Sequence, residues 1–247
     1  MSAQSAFAEV AREDGRAALV TVVSGPQAGA RMLVRADGST EGSLGDADLE
    51  AEALAGADEL MWEERSELRG DLFIDITAPA PRLLIFGAVE YANHLAHFAK
   101  VTGWQPYVID PRAQFATDER FPDATEVIVS WPGAAFEHLG GIDRATYLAV
   151  LTHDPKIDDE VLALALSAEP AYIGAMGAKR TQADRRERLL AAGVSEDELS
   201  RISAPIGLDI GGSSAEEVAL SIMGELVAVR YGREAGRLSQ RAAGKIH

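Results

Sequence analysis

Residues 82–88 read RLLIFGA, and four further runs follow: PYVID (106–110), EVIVSW (126–131), TYLAVLT (146–152) and AYIGAM (171–176). Each is a short, nearly continuous apolar stretch bounded by loop residues, the pattern of a strand buried on both faces. Helical periodicity separates them, beginning at Glu90, at Asp158 and at Ala178, with a last helix near 214–232. Repeated strand–helix units predict an α/β fold built on a doubly wound parallel sheet. Ser195-x-x-Glu198 and Ser214-x-x-Glu217 fit the capping box, in which a hydroxyl and a carboxylate satisfy each other's end of a helix start, and they mark two late helices.

Upstream of Arg82 the pattern changes. AALVTVVS (17–24) reads as a strand, RMLVR and STEGSL as a hairpin turned at Asp37-Gly38, and DLEAEALAGADELMWEE (48–64) as an acidic amphipathic helix. LFIDIT (72–77) supplies another strand. The prolines of Ala78-Pro79-Ala80-Pro81 forbid helix continuation and favour an extended connector. The expected organisation is therefore a smaller N-terminal α+β domain over 1–78, the sheet domain over 82–232, and a basic tail over 233–247. In that tail Arg233, Arg237, Arg241 and Lys245 recur at i,i+4.

The 247 residues carry 23 Lys+Arg against 39 Asp+Glu, a formal charge of −16. Residues 1–80 hold 16 of those acids and only 6 of the bases, so the first domain is the more acidic. A field of this sign repels the nucleic-acid backbone and anionic membrane surfaces, so neither is expected as a partner. Cysteine is absent, which removes disulfides, thiolate metal ligands and thiol nucleophiles from this chain's chemistry. No apolar signal core opens the sequence and no run of about 18 apolar residues occurs, giving the expectation of a cytoplasmic protein.

In an open parallel sheet, ligands collect beyond the carboxyl ends of the strands where successive connections diverge. The residues just after each run are therefore the candidates. Gly87-Ala88-Val89-Glu90-Tyr91-Ala92 occupies the slot of G-x-G-x-x-G/A, but Val89 replaces the glycine that lets a pyrophosphate approach the backbone. Asp110 lies 23 residues after Gly87, the spacing of an acid that accepts ribose hydroxyls, and Arg112 follows it. Thr152-His153-Asp154 ends the fourth run, and His153 is the candidate for proton transfer. Gly174 and Gly177 precede Lys179 and Arg180 at a helix start, where backbone N–H groups and two cations would converge on an anion. The Gly-rich loop Pro205–Ser213, with Asp209, is a further pocket candidate. Glu90, His94 and His97 share a helix face, but solvated polar residues explain that spacing better than a metal does, so no metal site is expected.

These segments together resemble the xanthine dehydrogenase accessory proteins of the XdhC/CoxI type. The resemblance is carried by Gly29–Val34 with Gly42-Ser43, Val108–Arg112, Glu119–Pro122, Thr152–Asp154, Tyr172–Gly174, and Pro205–Gly211 with Glu216-Glu217. It implies a small N-terminal domain joined to a Rossmann domain, often as a homodimer. It also implies a chaperone that binds molybdenum cofactor, as molybdopterin or its nucleotide form, and inserts it into an apo molybdenum hydroxylase of the xanthine dehydrogenase type. Gly87, Ala88, Asp110, Arg112, Thr152, His153, Gly174, Gly177, Lys179, Arg180 and Asp209 would then form the cofactor site. The chain departs from the family pattern at Asp48, where the family carries cysteine, and at Val89-Glu90, where it reads Gly-His. The competing expectations are an NAD(P)-dependent oxidoreductase, with Asp110 on the ribose and Arg112 near a 2′-phosphate, and a nucleotide-sensing regulator without chemistry.

Overall fold

The computed structural model describes residues 2–240. Within it the chain divides into two compact units, Met1–Pro79 and Ala80–His247.

The first unit runs α1 (Ala3–Arg12), β1 (Ala17–Val22), β2 (Arg31–Arg35), β3 (Thr40–Ser43), α2 (Ala47–Glu63), β4 (Glu67–Arg69) and β5 (Leu72–Thr77). The strands form an antiparallel sheet in the order β3-β2-β1-β5-β4. Central β1 shows the period-2 logic of a strand covered on both sides. Ala18, Val20 and Val22 pack under α2 with Ala53, Ala57 and Leu60, whereas Ala17 and Leu19 face α1 with Ala3 and Ala6. The expected hairpin at Asp37-Gly38 joins β2 to β3, and Gly38 takes the positive φ such a turn needs. Helix α1 has no counterpart in the sequence-based expectation; Ser2 caps it by accepting from the Ser5 amide.

The second unit runs β6 (Arg82–Phe86), α3 (Glu90–Val101), β7 (Gln105–Ile109), β8 (Glu126–Ile128), α4 (Pro132–His138), β9 (Thr146–Val150), α5 (Pro155–Leu166), β10 (Tyr172–Ala175), α6 (Lys179–Ala191), α7 (Glu196–Leu199), β11 (Ile202–Ser203) and α8 (Ala215–Arg230). All six strands are parallel, in the order β11-β10-β9-β6-β7-β8. The chain thus leaves β6 in one direction through β7 and β8 and returns on its other side through β9, β10 and β11. One face, with Leu83, Ile85, Val108 and Ala149, lies under α3 and α8. The other, with Leu84, Phe86, Ile109, Leu148 and Val150, lies under α4, α5 and α6. Burial of both faces is why these strands read as continuous apolar runs.

One sequence expectation shifts. Helix α5 starts at Pro155 rather than Asp158, because Asp154 caps it through the Lys156 amide and proline is favoured in the first helical turn. In the tail, where a solvated or frayed end is the favoured expectation for the i,i+4 cations, α8 ends at Arg230, Arg233 and Arg237 lie in irregular chain, and a 3-10 turn spans Leu238–Gln240. Arg241 and Lys245 lie outside the described residues. Both capping boxes are present, at α7 and α8.

Candidate functional site

Strand register decides which loops share a rim. Phe86 pairs with both Ile109 and Val150, and Val150 pairs with Ala175, so β7, β6, β9 and β10 end level with one another. The residues that follow, Gly87, Asp110, Leu151-Thr152 and Met176, therefore emerge side by side, with neighbouring strands about 4.8 Å apart. Their backbones continue the ladder one step past the strands: Gly87 N donates to Ile109 O, Leu151 N to Phe86 O, and Met176 N to Val150 O.

The closest approach on this rim is between Gly87 and Thr152. A Cβ on Gly87 would lie 2.9 Å from Thr152 N, and Gly87 also has φ +113°, a conformation that L side chains rarely adopt. Glycine is required at this switch point on both counts. Ala88 N donates to Asp110 Oδ2 at 2.9 Å, tying the same turn to the end of β7.

Asp110 is fully buried, and its carboxylate is already engaged. Besides Ala88 N, it accepts from Arg112 N (2.9 Å), Arg112 Nε (2.9 Å) and Arg112 Nη2 (2.7 Å). Burial alone pushes the Asp110 carboxyl up, but the Arg112 guanidinium and the two amides together hold it below the usual carboxylate range. Arg112 is in turn stacked 4.9 Å over Phe115 and feels the charge of Asp154 from the loop after β9. Sequence spacing offers Asp110 as a ribose acceptor, whereas its geometry is that of a clamp on Arg112 and the Gly87 turn.

Thr152 is buried and its hydroxyl accepts from Asp154 N at 2.8 Å, closing the turn that leads into α5. His153, between them, is exposed. Gly177, Lys179 and Arg180 open α6 on this same rim, Gly177 at φ +138° and both cations exposed. Gly174 does not belong with them. It lies inside β10, opposite Ala149 and Ser203, and an added Cβ would meet Ile206 at 2.5 Å and Tyr172 at 2.6 Å, so the missing side chain is needed for packing below the rim. Asp209 is exposed in the loop beyond β11, two residues past Gly207.

Helix capping separates these helix starts. Helices α5 and α8 are capped by Asp154 and Ser214, while α3 and α6 begin at Val89 and Ala178 with no side chain on their free amides. Both amino ends project unsatisfied N–H groups and partial positive charge, but in α3 the carboxylate of Glu90 already offsets that charge, which leaves α6 as the end that suits an anion. In α6 the first turn also holds Lys179 and Arg180 and no acid, an arrangement that opposes the helix dipole unless an anion sits among them.

Sequence reasoning missed what lies beneath α6. Arg185 and Asp158 form a buried ion pair at 2.8 Å, with side-chain exposures of 2% and 3%. Arg185 also donates to Met176 O and to Gln182 Oε1, and Gln182 donates to Gly177 O at 3.0 Å. The loop that presents Lys179 is thereby pinned from below. Burial pushes the Asp158 carboxyl up, against the opposing influence of Arg185 and Thr152. Also missed is a cleft of about 580 Å³ between the amino end of α3 and residues 119–121, lined by Val89, Glu90, Asn93, His94, Glu119, Arg120 and Phe121. None of the expected cofactor-site residues lines it, although Glu119–Phe121 belongs to a segment that carried the family resemblance.

Residues 83–226 match the XdhC Rossmann domain family and residues 10–70 match the XdhC and CoxI family. The chain belongs to the XdhC/CoxI family. A Bacillus subtilis protein described as a probable subunit of xanthine dehydrogenase is 31% identical over 160 residues, covering 65% of this chain and 46% of that protein. The molybdenum cofactor insertion chaperone PaoD of Escherichia coli is 30% identical over 156 residues, covering 63% of this chain and 42% of PaoD. This XdhC/CoxI chain thus spans less than half the length of these curated relatives. A crystal structure of a xanthine dehydrogenase from Bacillus halodurans superposes with a TM-score of 0.64 at 26% identity, over 91% of this chain and 65% of the other.

Asp48, where the resemblance implies a cysteine, is exposed in the first turn of α2, where an acid complements the helix dipole. Asp46 caps that helix, and Glu50 accepts from Ser43 Oγ and Leu44 N. The conceivable metal face on α3 is dispersed: His94 faces Glu216 at 3.6 Å, and His97 bonds Asp123 at 2.8 Å. No group of three or more metal-ligating side chains is found among the described residues, nor a helix long and apolar enough to cross a membrane.

Proposed function

We propose that this XdhC/CoxI chain binds molybdenum cofactor through its phosphate and passes it to an apo molybdenum hydroxylase, acting as an accessory protein and not as the hydroxylase. The observation that carries this reading is the uncapped amino end of α6, bearing Lys179 and Arg180 on the rim that also presents Gly87, Arg112 and His153. A phosphate there satisfies free amides and offsets two cations in a chain of otherwise negative charge.

The donor set fits the organic part of the cofactor better than its metal. This chain has no cysteine, so it offers no thiolate to molybdenum and no thiol for sulfur transfer. Its residues can bind and orient phosphate, and His153 stands on the same rim as a group that can give or take a proton at the ligand's edge. The cofactor is cargo, and when bound it carries its own redox chemistry with it. An oxidoreductase using NAD(P) is disfavoured, because Val89 stands where the dinucleotide fingerprint has a glycine and the Asp110 carboxylate is committed to Arg112 and Ala88.

A ligand that binds only the native state raises the melting temperature. Molybdopterin is therefore expected to stabilise the purified chain in a thermal-shift measurement more than NADPH does at equal concentration. Stabilisation by NADPH alone, with substrate-dependent oxidation of the nucleotide, contradicts the proposal.

A further inference from the structure

The cleft beside α3 has the wrong charge for a phosphate. Glu90 and Glu119 place two carboxylates on its lining against the single guanidinium of Arg120, and His94 is directed at Glu216. An anion entering it meets net repulsion. Its volume, about 580 Å³, is nonetheless that of a small-molecule site.

The cleft combines apolar and polar elements in a way that suits a flat, donor-rich ring. Val89 and the buried ring of Phe121 are its apolar parts. Arg120 is fixed at the mouth: its guanidinium lies 5.4 Å from the Phe121 ring and 6.0 Å from that of Phe115, and Nη1 donates to Phe115 O at 2.6 Å. A guanidinium held against aromatic rings is a planar surface on which a heterocycle stacks. The carboxylates of Glu90 and Glu119 are acceptors only; Glu119 already accepts from Thr117 and from its own backbone amide, which leaves Glu90 as the freer partner for two parallel N–H bonds, and Asn93 offers both a donor and an acceptor.

We infer that this cleft seats a heterocycle bearing a 2-amino-4-oxopyrimidine edge, as found in a pterin or a guanine. On that edge a ring N–H and an amino group stand side by side and match one carboxylate, while the adjacent carbonyl accepts from Arg120 or Asn93. Adenine and cytosine put a ring acceptor beside their amino group, which a carboxylate repels. The assignment deepens the functional reading above and rests on it: the rim at α6 takes the phosphate, and the α3 cleft takes the ring. It gives Glu90 a use at a position where a dinucleotide site would avoid a negative charge.

The test uses neopterin, guanosine and adenosine as phosphate-free probes, with inorganic pyrophosphate as the anion, each titrated into the full chain. Neopterin or guanosine is expected to bind at least tenfold more tightly than adenosine. The exposed-residue variant Glu90→Gln/Glu119→Gln is expected to lose at least tenfold in that affinity while its pyrophosphate affinity is unchanged. The tighter of the two amino-oxo probes names the source of the ring. Equal binding of adenosine, or an unchanged amino-oxo affinity in the variant, overturns the inference. Loss of pyrophosphate binding to the unmodified chain would instead remove the α6 phosphate site while leaving the cleft result standing, so the two failures are distinguishable.

Discussion

Replacing Arg185 by methionine is expected to lower the free energy of unfolding by about 3–5 kcal/mol, the cost of leaving a buried carboxylate without its partner. Asp158 and Arg185 are almost completely removed from solvent, and Asp158 Oδ1 and Arg185 Nε have no hydrogen-bond partner. The pair is thus only partly compensated even in the native chain. Converting both residues, as Asp158→Leu with Arg185→Met, is expected to recover most of the loss, because no charge then remains in the apolar layer. The pH dependence follows from the direction of the Asp158 shift. Its folded-state carboxyl is raised above its unfolded value, so the folded state is favoured by protonation. Its contribution to stability is therefore fully present below the unfolded value and is lost as pH rises through the folded one. The deficit of Arg185→Met should accordingly be largest near neutral pH and shrink as pH falls into the carboxylate range. Urea denaturation of the three proteins at two pH values checks this. A loss below about 1 kcal/mol for the single variant, the size of an ordinary surface change, would show that the pair does not hold the α6 loop.

The second large effect is on affinity. Lys179→Ala with Arg180→Ala removes two charge-assisted contacts from the α6 amino end, and a phosphate ligand is expected to weaken by about 2–4 kcal/mol. Both side chains are exposed at the first turn of α6, and the anchors of that loop, the buried Arg185 and the half-buried Gln182, are untouched. The fold should therefore survive, and the change should fall on binding. Titration calorimetry with pyrophosphate measures it directly. Affinity unchanged from the parent chain would take the α6 loop out of the site.

The parallel sheet was legible because both of its faces are covered. Burial on two sides removes polar residues from β6, β9 and β10, so RLLIF, TYLAV and YIGA stand out against their loops. The rim was legible for the same reason, since each apolar run announces where it stops. What the runs could not convey was how rim residues spend their polar groups. Asp110 has the spacing of a ribose acceptor, but only the folded chain shows Arg112 and Ala88 N occupying its oxygens. Gly174 looked like part of a glycine loop because strand interiors seldom hold glycine; its reason is Ile206, 32 residues away. The α3 cleft and the Arg185–Asp158 pair were invisible for a related cause. Each is assembled from segments whose contact depends on the order of strands, and charged residues on a helix read as solvated until the opposite helix is in place.

On this reading the carboxyl rim of the sheet is a phosphate site for a pterin-bearing cargo. A crystal structure of the chain with molybdopterin tests it most directly. Phosphate density is expected against the amides of residues 178–180 and the side chains of Lys179 and Arg180, on the same edge of the sheet as Gly87 and His153. Phosphate bound on the opposite edge of that sheet, or on the first unit, would contradict it.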